Sequence, residues 1–262
     1  MTDFADRVFS KVPEVTLGFW LIKIAATTLG ETGGDTVTMT LLHADTNAHN
    51  GGYLIGTALS FAVLAVFVAW QIAARRFHPF LYWATIVAST TAGTAMADFA
   101  DRSLGIGYSG GSSLLSACVL AVLGLWYWSE GTISVNTVNT PRMEAFYWLA
   151  ITFSQTLGTA LGDWMADTTG LGYLGGAAVF SAGLAGLAVA YYRSAVSRVL
   201  LFWAAFVLTR PLGATVGDFL DKPYGHGGLA LSRPAASAAI AVLILAGILL
   251  LPQRAGVHPN KA

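Results

Sequence analysis

Charged residues are scarce in this sequence, and their scarcity excludes an ordinary soluble domain. Lys, Arg, Asp and Glu make up 11% of the 262 residues, whereas soluble domains carry about 25%. Basic and acidic residues are equal in number, so no net positive charge favours nucleic acid as a partner. The single cysteine, Cys118, excludes a disulfide framework and a cysteine-based metal cluster. Residues 1–11 lack the basic start and cleavage site of a signal peptide, so we expect insertion without processing.

Long apolar segments take the place of charge. A helix needs about 20 mostly apolar residues to cross the hydrocarbon core of a bilayer. Four uncharged stretches satisfy this requirement, and four more polar stretches of similar length alternate with them. The uncharged stretches are 53–73, 112–129, 173–192 and 234–251, and the polar ones are 13–39, 79–101, 143–166 and 199–220. The sequence therefore predicts an all-α integral membrane protein with eight transmembrane helices in a single membrane domain, residues 1–262.

The distribution of basic residues predicts how these helices are oriented. Eight spans place both termini on one side of the membrane. Nine Lys and Arg residues fall on that side and three on the other, and cytoplasmic loops carry the excess of basic residues. We therefore expect cytoplasmic termini in a bacterial inner membrane. Seven of the eight tryptophans fall near the same side, which predicts an aromatic belt at that interface, with Trp164 as the exception.

A motif occurs four times along the chain, approximately within residues 12–75, 78–130, 141–195 and 197–251. Each copy begins with an aromatic–Trp pair, and a glycine and an aspartate follow ten and fifteen residues after the Trp. The tryptophans are Trp20, Trp83, Trp148 and Trp203, the glycines Gly30, Gly93, Gly158 and Gly213, and the aspartates Asp35, Asp98, Asp163 and Asp218. Matches at fixed offsets indicate internal repeats. They predict four parallel two-helix hairpins around an axis along the membrane normal, in a pseudo-fourfold or a two-plus-two arrangement.

Positions in each repeat are numbered below by their distance after the Trp. Positions seven, eleven and fifteen are four residues apart and therefore share one helix face. Position seven holds Thr27, Thr90, Gln155 and Arg210, position eleven holds Glu31, Thr94, Thr159 and Ala214, and position fifteen holds the aspartates. Position fourteen is always Gly or Ala, and small residues let membrane helices approach closely. We expect the odd helices inside, with converging polar stripes, and the even helices outside, facing lipid.

The aspartates are expected at membrane depth. Fifteen residues at ~1.5 Å each place them ~22 Å from the tryptophans, in a hydrocarbon core ~30 Å thick. Asp101, Asp167 and Asp221 follow within about one turn and would form a vestibule. A charge at this depth costs about 2.5 kcal/mol or more, so the carboxylates are expected to line a site or path for a cation. The alternative is that they only cap helix ends or bind neighbouring helices, and Glu31, which occurs in one repeat only, favours the ion site.

Two basic residues lie within the polar helices. Lys23, one turn after Trp20, is expected to extend to the membrane surface. Arg210 lies about halfway along its helix and is expected to pair with Glu31 or an aspartate. The loop "HADTNAHN", residues 43–50, adds a further candidate metal group, with His43, Asp45 and His49 joined by His226. These residue types suit transition metals.

Three classes of function fit this pattern. The first is a channel or transporter for a divalent cation of the Mn or Mg class, held by Glu31 and the four position-fifteen aspartates, since hard cations prefer oxygen ligands. The second is a proton-coupled organic-solute transporter in which Arg210 and Lys23 bind an anionic group. The third is a membrane scaffold or an intramembrane enzyme, which would need a lateral gap between even helices to act on lipid.

No catalytic residue and no tightly bound cofactor are predicted. The expected partners are the bilayer and the transported cation or small solute, and the sequence leaves oligomerisation open.

The segment "KVPEVTLGFWLIKIAATTLGETGGD", residues 11–35, resembles a bacterial family of membrane-anchored proteins. That family is defined by a short transmembrane repeat of unknown function. The resemblance extends from Lys11 to about Leu251 and implies a repeat architecture in the inner membrane. It implies no activity, so it assigns no site residues.

Overall fold

The computed structural model describes residues 8–44, 51–105 and 107–258. Within these residues the chain forms eight long α-helices and one short two-stranded sheet. The helices are α1 (Leu17–Asp35), α2 (Gly52–Ala73), α3 (Pro79–Asp98), α4 (Tyr108–Glu130), α5 (Pro141–Asp163), α6 (Gly172–Arg193), α7 (Arg198–Asp221) and α8 (Arg233–Leu250). The predicted number of helices is confirmed.

Local sequence signals account for the helix starts. The Thr16 and Thr140 side chains accept hydrogen bonds from the backbone N–H groups of Phe19 and Met143, as N-cap residues do. Proline occupies the first turn of α3, α5 and α8, where its missing N–H has no intrahelical partner to lose.

The odd helices form a closed ring. α1 contacts α3, α3 contacts α5, α5 contacts α7, and α7 contacts α1. Each even helix packs against the odd helix of the next repeat: α2 on α3, α4 on α5, α6 on α7, and α8 on α1. The same neighbour relation therefore holds four times in a cycle, and the fourth repeat closes onto the first.

Five of the helices in the described residues are long and apolar enough to cross a membrane: α2, α4, α6, α7 and α8. They include all four even helices, which the sequence predicts from uncharged stretches, and one odd helix, α7. The helices α1, α3 and α5, which the sequence also predicts to span the membrane, are not among the five. The even helices expose large apolar side chains, such as Leu120 and Leu249, which are each 70% exposed. The odd helices bury most of their residues against one another and against the even helices, so their polar side chains contact protein.

The polar helices do not continue as regular α-helix to their predicted ends. In three repeats the position-fifteen aspartate is the last α-helical residue, and a π-helical segment follows it. These segments are Thr36–Leu41, Phe99–Ser103 and Trp164–Thr168. The wider turn changes the direction of every later side chain, so spacing by fours stops predicting the helix face at this point. π-helical turns are frequent at functional sites.

The end of the bundle at which the odd helices begin, here called the terminal end, is closed by aromatic rings. The aromatic residue before each Trp contacts the Trp of the next repeat, with centroid distances of 5.4–6.3 Å. The pairs are Phe19–Trp83, Tyr82–Trp148, Tyr147–Trp203 and Phe202–Trp20. These eight residues form the aromatic girdle. The Tyr82 and Tyr147 hydroxyls lie 2.6 Å apart and share a hydrogen bond within it.

The girdle corrects the prediction of a lipid-facing aromatic belt. Trp83, Trp126, Trp148 and Trp203 are at most 3% exposed and pack inside the protein. Trp70 and Trp128 do face outward. Recurrence at one end of each repeat gave the correct level, but spacing alone did not show that these rings pack against one another.

A small sheet covers the girdle, and the sequence did not predict it. Strand β1 (Val8–Pro13) pairs antiparallel with β2 (Ala255–His258). Ser10 Oγ donates a hydrogen bond to Val135 O at 2.7 Å, which joins β1 to the α4–α5 loop. Lys11 forms a salt bridge with Glu144 of α5. Strands β1 and β2 therefore lie together at one end of the bundle.

Candidate functional site

The polar stripes of the odd helices converge inside the ring. All predicted side chains at positions seven, eleven and fifteen are at most 7% exposed. The stripes therefore face neither solvent nor the outer surface.

Close contact between the odd helices depends on glycine at position ten. A Cβ atom added to Gly30, Gly158 or Gly213 would overlap the position-seven side chain of the next repeat, which is Thr90, Arg210 or Thr27 respectively. At Gly93 an added Cβ would lie 2.9 Å from the Gln155 backbone carbon. The same glycine-to-position-seven contact thus occurs at all four interfaces of the ring.

The position-seven threonines serve these interfaces. Thr27 Oγ1 donates to Thr209 O at 3.1 Å, and Thr90 Oγ1 donates to Ala26 O at 3.2 Å. Thr94, at position eleven, lies 3.0 Å from Gly30 O in the same way. In this structure the three hydroxyls bind the backbone of a neighbouring helix, and their role as ion ligands stays a prediction.

Arg210 joins all four odd helices at one point. Its Nη2 atom lies 2.9 Å from Glu31 Oε2 and also donates to Thr94 Oγ1 and Thr159 Oγ1. These three partners come from α1, α3 and α5, so the guanidinium nitrogen lies on the axis of the ring. Position eleven of α7 is Ala214, and α7 reaches this point through the long Arg210 side chain from one turn earlier. Of the two partners predicted for Arg210, Glu31 or an aspartate, the structure has Glu31.

Lys23 does not extend to the surface, contrary to prediction. The residue is fully buried, and its Nζ lies 3.5 Å from Thr209 Oγ1 and 4.1 Å from the Phe206 ring centroid. The contacts with Thr209 and Phe206 show that α7 covers this side of α1.

Carboxylates form two buried groups beyond the Arg210 layer, toward the end of the bundle opposite the girdle. Glu31, Asp163 and Asp218 offer oxygen atoms within 4.8 Å of one another. Asp35, Asp218 and Asp221 form the second group by the same measure. The two groups share Asp218, so five carboxylates from α1, α5 and α7 form one cluster, here called the acidic cluster. Asp98 is also buried but belongs to neither group.

Two basic residues, Lys222 and Arg233, contact the acidic cluster. The sequence places both outside the polar helices and does not predict this contact. Lys222 Nζ lies 2.6 Å from Asp35 Oδ2 and 3.0 Å from Asp218 Oδ1. Arg233 Nε lies 3.7 Å from Asp221 Oδ2 and 3.9 Å from Asp35 Oδ2. Burial alone would lower the pKa of Lys222, but Asp218, Asp35 and Asp221 raise that pKa well above its usual value. Lys222 is therefore a cation held within the cluster.

Asp163 differs from its neighbours. Among the described residues it has no salt-bridge partner, whereas Glu31, Asp35, Asp218 and Asp221 each have one. A buried carboxylate beside two others is costly unless a cation or a proton neutralises it. The cluster therefore carries more carboxylates than the protein cations around it can neutralise.

The remaining predicted residues lie outside the cluster. Asp167 is exposed and accepts a hydrogen bond from Tyr108 Oη at 3.2 Å. Asp101 is partly buried after α3. His226 is exposed, and neither it nor His43 joins either carboxylate group. Asp45 and His49 lie outside the described residues.

Two grooves lie on the outside of the ring. One, of about 600 Å³, is lined by apolar residues of α1, α2, α3 and α8. The other, of about 1220 Å³, lies between α1, α6, α7 and the terminal sheet. No carboxylate of the acidic cluster lines either groove.

Comparison with known proteins gives a family but no activity. Neither a curated protein nor a solved structure matches the chain. The model of the Repeat of Unknown Function (DUF347) family matches four segments, residues 18–77, 81–132, 146–197 and 201–254. These segments cover most of the chain and follow the four hairpins, as the sequence resemblance implies. The chain belongs to the DUF347 repeat family, with four copies of the repeat.

Proposed function

We propose that this protein is a multi-pass carrier for a divalent cation in the bacterial inner membrane. The observation that carries the proposal is the acidic cluster, two overlapping groups of three buried carboxylates inside a ring of helices. Carboxylate oxygens are the ligands that Mg²⁺, Mn²⁺ and Ca²⁺ prefer. The cation is the substrate, and no tightly bound cofactor is part of the proposal.

Membrane insertion of all eight helices is the first part of the proposal. Exposed large apolar surface is unfavourable in water, and the even helices present such surface around the whole ring. The polar odd helices need no lipid-facing apolar face because the even helices surround them. The excess of basic residues on the terminal side supports cytoplasmic termini. The acidic cluster would then face the outer side.

The axis of the ring is closed on the terminal side of the acidic cluster, which favours a carrier over an open channel. On the terminal side of the cluster, Arg210 joins the four odd helices, and the aromatic girdle and the terminal sheet follow. A cation that enters from the carboxylate end meets these closures in turn. Transport would require the Arg210–Glu31 contact and the girdle to rearrange, which is typical of alternating access.

Flux into proteoliposomes tests the proposal. Wild-type protein should take up Mn²⁺ down its gradient, and Asp163→Asn should abolish uptake because it removes a cluster carboxylate without breaking a salt bridge of the described residues. Asp167→Asn is the matched control, since Asp167 is an exposed aspartate four residues further on, and it should transport normally. Equal flux in all three proteins, or no flux in the wild type, would overturn the proposal.

A proton-coupled carrier for an anionic organic solute is the second candidate, and one observation favours it. On the terminal side of the Arg210–Glu31 contact, Lys23 is fully buried without a carboxylate partner among the described residues. The buried Gln155 amide also has no hydrogen-bond partner there. Uptake of an organic anion that Mn²⁺ does not inhibit, and that Lys23→Met abolishes, would favour this candidate over the first.

A further inference from the structure

Lys222 lies where a bound cation would lie. It is the first residue after α7, and its Nζ bridges Asp35 of α1 and Asp218 of α7 at 2.6 and 3.0 Å. Both aspartates belong to the same three-carboxylate group, with Asp221. The ammonium group therefore occupies the oxygen-lined position that a divalent cation would need in this half of the acidic cluster.

The backbone near Lys222 is held by hydrogen bonds, whereas its side chain can leave the acidic cluster. The α7–α8 loop folds back on the end of α7: Leu229 N donates to Phe219 O at 2.7 Å, and Ala230 N donates to Lys222 O at 2.9 Å. The Lys222 side chain is 14% exposed, so part of it reaches solvent. A lysine side chain has four rotatable bonds and a strongly hydrated head group. The ammonium can therefore move from the cluster to water without unfolding the loop.

Arg233 lies behind Lys222 and does not take the same place. Its Nε is 3.7 Å from Asp221 and 3.9 Å from Asp35, beyond direct hydrogen-bonding distance. It contributes positive potential at the edge of the cluster, whereas Lys222 makes the short contacts. Competition for the cluster oxygens therefore concerns Lys222.

We propose that Lys222 is a tethered competitor of the substrate cation, which must displace the ammonium from Asp35 and Asp218 in order to bind. This inference rests on the proposed cation site. A tethered group acts at a high effective concentration, so the empty cluster would be occupied by Lys222 and neutralised in part. The apparent affinity for the substrate is then the intrinsic affinity multiplied by the fraction of molecules in which Lys222 is not in the cluster. Binding of the cation would then be coupled to movement of the Lys222 side chain out of the acidic cluster.

Amine labelling of the unaltered protein tests the displacement directly. The sequence contains only four lysines, Lys11, Lys23, Lys222 and Lys261, so an acylating reagent and peptide mapping resolve each site. Saturating Mn²⁺ should raise the labelling rate of Lys222 by about tenfold, the factor expected if the ammonium leaves a protected position in most molecules. Labelling of Lys11, which pairs with Glu144 at the terminal end, should not change.

Thermal unfolding with Mn²⁺, measured on the same samples, separates the two claims. If Mn²⁺ stabilises the protein but Lys222 labelling is unchanged or falls, the competitor inference is wrong and the cation site stands. If Mn²⁺ neither stabilises the protein nor changes labelling, the cation site is wrong, and the inference falls with it.

Two variants test how Lys222 affects the affinity for Mn²⁺. Lys222→Gln should bind Mn²⁺ about tenfold more tightly than the wild type, because the tethered competitor is gone. Lys222→Arg keeps the positive charge and should bind with an affinity near that of the wild type. Weaker binding by Lys222→Gln, or equal affinities in the three proteins, would contradict competition.

Discussion

The buried charges of this protein are arranged by the residues that break its repeat symmetry. Arg210 replaces the Thr or Gln found at position seven of the other repeats, and Ala214 replaces the polar residue at position eleven. Glu31 supplies the charge opposite to Arg210 at 2.9 Å. Two threonines add hydrogen bonds to the same guanidinium nitrogen, whereas Arg210 Nε and Nη1 have no hydrogen-bond partner among the described residues. Either buried charge would be costly without the other, so Arg210 and Glu31 act as one unit.

Glu31→Gln should lower the stability of the detergent-purified protein strongly, by about 3–5 kcal/mol, because it leaves the Arg210 charge buried and unpaired. Arg210→Gln should have a similar effect. The double variant Glu31→Gln/Arg210→Gln should be less destabilised than the sum of the two, since no unpaired charge remains. Unfolding temperatures of the four proteins measure this coupling. Additive effects would show that the two residues do not depend on each other.

Sequence reasoning identified the Arg210–Glu31 pair because each residue departs from a fourfold pattern, and an isolated charge at membrane depth needs a partner. It did not identify Lys222 or Arg233 as partners of the cluster. Their positions depend on how the α7–α8 loop folds back, and no periodicity describes a loop. Lys23 was misplaced for a related reason, since spacing gives the level of a residue along a helix but not which neighbour covers it.

The odd helices depend on glycine for their packing. At position ten, an added Cβ would meet the neighbouring helix at each interface. The threonine–carbonyl hydrogen bonds across the α1–α7 and α1–α3 interfaces are made at the same level. Close backbone approach through small residues is the usual way in which membrane helices associate, because lipid provides no hydrophobic drive between them.

Gly213→Ala should destabilise the ring by about 1–3 kcal/mol or more, the usual effect of overpacking, because the added Cβ would lie 2.7 Å from the Thr27 backbone carbon. Gly124→Ala is the matched control, since Gly124 lies in α4 with no atom within 4 Å of an added Cβ. That change should be neutral or stabilising by about 0.5–1 kcal/mol, as Ala favours helix over Gly. Thermal unfolding compares the two, and equal losses would argue against close packing at position ten.

For the helices, the sequence predicts their number and position but not the π-helical segments that follow three of them. Apolar length and a repeated motif were sufficient for all eight helices and for the polar face of each odd helix. The π-helical segments after Asp35, Asp98 and Asp163 were not foreseen, because nothing in the composition of Thr36–Leu41 distinguishes a wider turn from a regular one. Strands β1 and β2 were missed because each is short and is paired with the opposite end of the chain.

The whole molecule is a closed cycle with two unlike ends. One end carries the sheet and the aromatic girdle, and the other carries the acidic cluster. Because every hairpin adds two passes, the loops alternate between the ends. A substrate cation would thus meet carboxylates from one side of the membrane and tightly packed aromatic rings from the other.

Single cysteines introduced into a Cys118→Ser background test the orientation. Thr169→Cys lies in the exposed loop after Asp167, and Ala195→Cys lies in the exposed loop between α6 and α7, at opposite ends of the bundle. In intact bacterial cells an impermeant maleimide should label Thr169→Cys and leave Ala195→Cys unlabelled until the cells are lysed. The reverse pattern would place the termini outside, and labelling of both sites in intact cells would contradict membrane insertion.

The central claim is that the acidic cluster binds a divalent cation. The most direct test is the unfolding temperature of the detergent-purified protein as Mn²⁺ and Mg²⁺ are titrated, for wild type, Asp163→Asn and Asp167→Asn. A ligand at 100 times its dissociation constant stabilises the folded state by about 2.7 kcal/mol. We expect metal-dependent stabilisation of the wild type and of Asp167→Asn, and its loss in Asp163→Asn. No stabilisation of the wild type by either metal, or equal stabilisation of Asp163→Asn, would contradict it.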